Sequence, residues 1–232
     1  MLEPSDDVLG SAMLAFLKKG DDTPFRIKIN GYEEPPMPPS AFFRSYAQMR
    51  DYEKKALRLA RGKVLDIGCG AGCHSLYLQK KKMEVQGLEI SPIIAKVAAD
   101  RGVQVSIGDW RQFNQKGFDT ILALMNGMGM ISDIEELVKF FRKLKSLIAA
   151  DGQILIDSTD VYYARYNWEY ENPDYYGHVF FQLQYKRKKQ QFFWIFVDLE
   201  TALNAAKNAQ LQAEIVDQEE GGHYLLRLTK IR

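Results

Sequence analysis

The segment 63–78, KVLDIGCGAGCHSLYL, constrains the fold more than any other stretch of the chain. It reads as a short apolar strand ending in Asp66, a turn with Gly68, Gly70 and Gly72, and a helix starting near Cys73. Glycines at that point let the backbone bend sharply and approach a ligand closely, which suits the edge of an open sheet. An alternation follows: strand over 84–89, helix over 92–101, strands over 103–107 and 118–124, helix over 133–149 and strand over 153–157. Strands apolar on both faces, alternating with helices, call for a parallel sheet covered by helices. Near the end come a helix around 200–210, a strand around 213–218, the turn Gly221-Gly222 and a last strand over 224–229. Strands joined so tightly must be antiparallel. The expectation is a doubly wound α/β fold, with a mostly parallel seven-stranded sheet and an antiparallel C-terminal strand.

Val8, Leu9, Ala12, Met13, Phe16 and Leu17 have the spacing of an amphipathic helix. Asn30-Gly31 and the prolines at 35, 36, 38 and 39 then predict an extended linker over 21–39. A second helix is expected over 40–60, capped by Ser40, with Phe42, Tyr46, Met49, Ala56 and Leu59 on one face. Residues 1–62 thus read as a helical cap and linker, and 63–232 as the α/β unit, together one structural domain. After Asp157 the alternation stops. Apolar runs at 178–185 and 192–197, flanking the basic turn Lys186 to Lys189, predict a β-hairpin inserted after strand five, at about 159–197. The basic turn reads as solvated more readily than as a phosphate contact.

A chain of 232 residues with formal charge +1 has no large basic field, so nucleic acid is not expected as a partner. Its two cysteines, Cys69 and Cys73, are too few for a zinc site and read as packing residues in a reducing cytoplasm; no metal is expected. Glu3, Asp6 and Asp7 lie where a secretory signal would be basic, and no apolar run reaches the roughly 18–20 residues of a membrane span. A soluble, cytoplasmic protein with no membrane partner is the expectation.

Glu89 ends the second strand about twenty residues after the glycine turn, where an acidic group accepts from both hydroxyls of a ribose. An adenosine-type cofactor over the first two strands fits. A tight strand-to-helix connection is the plainer reading of the turn taken alone. The sharper rival is an NAD(P)-dependent oxidoreductase, but Cys73 stands where the dinucleotide fingerprint places its third glycine.

The ordered series DIGCGAG, GLEIS, GDW and FDTILALMNGMG resembles the motifs of class I, Rossmann-like S-adenosylmethionine-dependent methyltransferases, over about 63–157. The resemblance implies S-adenosylmethionine as cofactor, held by the loop that contains Cys69. Asp66, Gly68, Gly70 and Ala71 would surround its methionine moiety, Glu89 would bind the ribose and Ile90 would pack on the adenine. Asp109 would accept from the adenine amino group with Trp110 beside it, and Leu124 to Asn126 would floor the sulfonium. Singly, Ile90 also reads as core, Asp109 as a turn cap and Trp110 as a half-buried aromatic. Met125-Asn126-Gly127-Met128 departs from the Asn/Asp-Pro-Pro-aromatic run of many nucleobase amino-methyltransferases, and Asn172-Pro173-Asp174-Tyr175 reads as a loop. A non-catalytic binding protein of the same fold remains an alternative.

Catalytic candidates are few. Asp157 and Asp160 follow strand five, with a base role or a turn-forming role open to each, and His178 lies in the insertion. Half of the chain's phenylalanines, tyrosines and tryptophans fall within 159–197. They read as the insertion's own small core, as a dimer contact of a possible homodimer, or as a lid over cofactor and acceptor. The lid candidates are Tyr162, Tyr163 and Trp194, with Phe43 and Tyr46 from the second helix. Under a lid, the methyl acceptor would be a small, partly apolar or cationic metabolite.

Overall fold

The computed structural model describes residues 7–162 and 175–231. The sheet expected from the alternation is present. Its strands are β3 (Lys63–Ile67), β4 (Glu84–Glu89), β5 (Val105–Ile107), β6 (Phe118–Ala123), β7 (Ile148–Thr159), β10 (Leu211–Gln218) and β11 (His223–Lys230). In space they run β10-β11-β7-β6-β3-β4-β5. β3 to β7 are mutually parallel, and β11 is antiparallel to both β7 and β10. Chain order reverses between β3 and β6, so the crevice for a ligand opens at their carboxyl ends.

Helices α3 (Cys73–Lys80), α4 (Pro92–Asp100), α5 (Leu137–Leu147) and α6 (Leu199–Asn208) cover the sheet. On one face Phe118, Ile121, Phe140, Phe141, Ile154 and Leu226 form a continuous buried core. On the other, Val64, Leu122, Leu155 and Leu225 pack beneath α2 (Asp51–Leu59), through Tyr52, Ala56 and Leu57.

The amino-terminal third departs from its expected form in two places. α1 (Val8–Lys19) is the expected helix, but 21–39 is no linker: it holds β1 (Phe25–Ile29) and β2 (Tyr32–Met37), joined through Asn30-Gly31. Both turn residues have positive φ, 49° and 91°, the twist that suits a two-residue hairpin. Pro35 and Pro36 are tolerated because β2 is an edge strand. The segment 40–60 is likewise not one helix. Two short 3₁₀ turns, Pro39–Phe42 and Tyr46–Gln48, precede α2. Ser40 does not cap; its N–H and hydroxyl donate to Asp22. Local bonds explain the break: Gln48 Oε1 accepts from Ser45 N at 2.9 Å, and Glu53 Oε2 from Arg50 N at 2.8 Å. Such side-chain acceptors offer the backbone an alternative to a continuing helix.

The inserted hairpin forms as β8 (His178–Tyr185) and β9 (Lys188–Ile195), and it does not stand alone. β1 pairs antiparallel with β8, giving a second, four-stranded sheet of order β2-β1-β8-β9. At its turn, Lys186 is ion-paired with Asp21. Phe25, Ile27, Val179 and Leu183 pack one face of this sheet on Val8 and Ala12 of α1, whose Met13 meets Ile94 and Val97 of α4. α1 is therefore the wedge between the sheets. Among the described residues, no helix is long and apolar enough to cross a membrane, and no group of three or more His, Cys, Asp or Glu is placed to hold a metal ion.

Candidate cofactor site

In the turn between β3 and α3, Gly68, Gly70 and Gly72 have φ of 68°, 56° and 83°, where a side chain would be strained. A Cβ on Gly72 would also lie 2.5 Å from Val103 Cγ2. Gly68 N donates to Leu88 O at 2.8 Å, binding the turn to the end of β4. There Glu89, 7 % exposed, accepts from Gly70 N through Oε2 (3.1 Å) and from Ser91 N through Oε1 (3.0 Å). Each oxygen keeps further acceptor capacity. Burial pushes this carboxyl above its ordinary range, against the pull of the Ser91, Gly70 and Ile90 N–H groups.

Beside the turn lies a cleft of about 540 Å³. One wall comes from the carboxyl ends of β3, β4 and β5: Gly68, Ile90, Asp109 and Trp110, with Met130 and Ile131 from the segment after β6. Ile90 is 41 % exposed, an apolar side chain presented to the cleft. The opposite wall comes from Asp7 and Leu9 at the start of α1, and from Gln190, Phe192, Phe193 and Trp194 of β9. Asp7 caps α1 by accepting from Gly10 N at 2.6 Å, and also accepts from the hydroxyl of Ser91, itself the cap of α4. Gln190 Oε1 accepts from Val8 N at 3.0 Å and ties α1 to β9. A Cβ on Gly129 would collide with the Trp194 indole, so only glycine lets β9 approach this closely.

Of the residues singled out in the sequence, Gly68, Ile90, Asp109, Trp110 and Trp194 meet at the cleft. Asp109 also pairs with Arg111, whose guanidinium reaches Glu136 at 2.6 Å. Asp66 lies beneath the turn, fully buried, accepting from Ser75 Oγ at 2.6 Å. Burial raises its carboxyl, opposed by His74 and Ser75. Cys69 packs on Ala98 and Val103, Ala71 beside Met13 and Ile94, and Leu124 in the core under α2. Asn126 takes a bond from Thr159 Oγ1 at 2.8 Å.

Asp157 is buried and accepts from Asn126 N, Gly127 N and His223 Nε2. Asp160 accepts from Tyr176 OH at 2.7 Å and from Tyr162 N. His178 rests against the Phe193 ring, 5.0 Å between centroids. The lid candidates separate: Phe43 packs against Phe16 and under Arg101, Tyr46 stacks on Tyr77, and Tyr162 meets the edge of Tyr176. Tyr163 lies outside the described residues. Sequence reading missed Asp7, Leu9 and Gln190, for which the signal was Asp7 as a cap of the amphipathic helix; Phe192 fell among the aromatic residues of 159–197 without being singled out.

A sequence profile described as a methyltransferase domain matches residues 64–152. An S-adenosylmethionine-dependent methyltransferase from Bacteroides fragilis, solved in complex with S-adenosyl-L-homocysteine, is 34 % identical and superposes with a TM-score of 0.89, covering 100 % of this chain and 98 % of that one. The ubiquinone biosynthesis O-methyltransferase of Xanthomonas euvesicatoria pv. vesicatoria (strain 85-10) is 27 % identical over 117 residues, 47 % of each chain. The dTDP-3-amino-3,6-dideoxy-alpha-D-glucopyranose N,N-dimethyltransferase of Streptomyces fradiae is 24 % identical over 120 residues, again 47 % of each. The chain thus matches about half the length of these curated relatives. With the glycine turn, the acidic end of β4 and a relative similar over its whole length, the chain belongs to the S-adenosylmethionine-dependent methyltransferases.

Proposed function

We propose that the protein transfers a methyl group from S-adenosylmethionine to a small-molecule acceptor. The observation that carries this reading is the junction of the left-handed glycine turn with Glu89, whose oxygens hold the turn yet keep acceptor capacity beside an open cleft. These residues fit an adenosine: Glu89 for the ribose hydroxyls, the exposed Ile90 for a base plane, and Asp109 with Trp110 at the base's edge. Leu124 to Asn126 would lie under the sulfonium. Bound there, S-adenosylmethionine supplies a methyl group already activated for in-line attack by a nucleophile. The chain's own part is then to position the two reactants and exclude water.

A small acceptor suits a cleft walled on its far side by Phe192 and Trp194, because aromatic faces favour apolar or cationic groups of limited size. Calorimetric titration with S-adenosylhomocysteine, S-adenosylmethionine and NADH tests the cofactor. The two sulfur ligands should bind and NADH should not, and Glu89→Ala should weaken binding by about 1.5–3 kcal/mol. Binding of NADH alone would overturn the reading. Labelled S-adenosylmethionine offered to small-molecule, RNA, DNA and protein extracts tests the acceptor; robust labelling of a macromolecule would remove the small-molecule class.

A further inference from the structure

Just after β6 come two consecutive non-glycine residues with left-handed backbone, Met125 at φ 66° and Asn126 at φ 61°. Such conformations persist only where the surroundings over-determine them, and they concentrate at functional sites. Here the restraint comes mainly from Asp157, wholly buried at the end of β7. Its Oδ2 accepts from Asn126 N at 3.1 Å and its Oδ1 from Gly127 N at 3.2 Å. Two residues further along the strand, Thr159 Oγ1 donates to Asn126 Oδ1 at 2.8 Å and fixes the side-chain amide. From the other side Arg44 Nη2 lies 3.1 Å from Met125 Sδ.

Asp157 is itself held. His223 Nε2 lies 2.8 Å from its Oδ2, and the Tyr52 ring stacks on the imidazole at 3.7 Å between centroids, 28° from parallel. His223 Nδ1 is buried with no hydrogen-bond partner among the described residues. A neutral imidazole carries one ring proton, and only at Nε2 does that proton find an acceptor. Nε2–H therefore donates to the carboxylate.

We infer that Asp157 and His223 form a positioning pair that holds the Met125–Asn126 turn in place for methyl transfer, and that Asp157 takes no proton in the reaction. This rests on the methyltransferase reading above. The carboxylate is committed to two backbone N–H groups and an imidazole. What it controls is where the turn stands. Relaxation of a left-handed turn displaces its residues, and a misplacement of about 1 Å between reactants can cost about 100-fold in rate.

Asp157→Asn is the decisive substitution. An amide nitrogen in place of Oδ2 would face Asn126 N–H, and in place of Oδ1 it would face Gly127 N–H, so one backbone donor loses its acceptor in either orientation. Three quantities are measured on the full chain: hydrogen exchange at the 126 and 127 amides, the dissociation constant of S-adenosylhomocysteine, and transfer of labelled methyl from saturating S-adenosylmethionine into a pooled small-molecule extract. Exchange should accelerate at least about tenfold and transfer fall about 100-fold, while the dissociation constant moves less than about threefold. His223→Gln, which keeps a donor, should retain most transfer, and His223→Leu should lose about tenfold or more; this pair decides the matter if Asp157→Asn does not fold.

Transfer that survives the faster exchange, or an affinity loss equal to the transfer loss, would overturn the positioning role. So would His223→Gln and His223→Leu behaving alike. A wild-type protein that neither binds S-adenosylhomocysteine nor transfers label would overturn the methyltransferase reading itself. Unaccelerated exchange in Asp157→Asn would instead overturn only the claim that Asp157 holds the turn.

Discussion

The two sheets are built on different principles. In the seven-stranded sheet the inner strands are buried on both faces, as in β3 and β6, and three of the four connections between the parallel strands carry helices that pack over it, α3, α4 and α5. In the four-stranded sheet one face packs on α1, while Arg26, Lys28, Gln182, Gln184, Lys189 and Gln191 share the other. Its pairing is also remote: Phe180 N donates to Asn30 Oδ1 across 150 residues of sequence. Loop closure of that length must come before any such contact helps, so the second sheet depends on the first being in place. One cleft wall is therefore set by local chemistry, and the other is delivered by two hairpins that meet late.

The largest effect that bears on this contrast is in the core of the seven-stranded sheet. Phe140 is fully buried, with its ring 4.6 Å from that of Trp110, so Phe140→Ala should cost about 3–5 kcal/mol of unfolding free energy in urea melts. Val179→Ala, equally buried but in β8, removes two methyl groups and should cost about 2 kcal/mol. Equal losses would mean that the four-stranded sheet shares the main core, and the contrast drawn above would break.

Next comes a charge cluster beneath the glycine turn. Burial pushes the Glu53 carboxyl up, but bonds from His74 Nε2 (2.8 Å) and Arg50 N (2.8 Å), with Arg44 Nη2 at 2.7 Å, outweigh it and hold it below the ordinary range. A folded-state value below the unfolded one stabilises the protein above the unfolded value, and that stability is lost as pH falls through the folded one. Glu53→Gln should therefore cost about 3 kcal/mol near neutral pH, with the gap to wild type closing in acid. A gap independent of pH would show that shape, not charge, holds α2 to α3.

How much of this was legible in the sequence follows the same division. The strands around Asp66 and Glu89, the glycine turn and the antiparallel ending were readable because each depends on residues within a few positions of one another. The hairpin at Asn30-Gly31 carried a local signal too, but the four prolines after it read as a linker, since nothing in 21–39 announces a partner strand at 178–185. The 40–60 segment has helical spacing, yet Gln48 and Glu53 turn back on the backbone, a choice that periodicity does not register. At the cleft, Gly68, Ile90, Asp109 and Trp110 follow from strand ends, whereas Asp7 and Phe193 reach it only through tertiary packing.

The smallest effect sharpens the contrast most, because it separates binding from folding within β9. Phe193 is 53 % exposed and borders the cleft from the edge strand β9, with its ring against Phe180 and His178 on the face it shares with Lys189 and Gln191. A side chain so open contributes little to folding, so Phe193→Ala should change the unfolding free energy by less than about 0.5 kcal/mol. If β9 closes on the adenosine, the same ring loses water when ligand binds, and its removal should weaken S-adenosylhomocysteine by about 1 kcal/mol, roughly fivefold. Thermal melts with and without ligand, together with a calorimetric titration, measure both quantities on one sample. Unchanged affinity would leave cofactor binding to the seven-stranded sheet and α1 alone, with the four-stranded sheet facing the acceptor only. A melting loss comparable to that of Val179→Ala would place Phe193 in the packing that holds the second sheet together, and its exposure would then misstate its role.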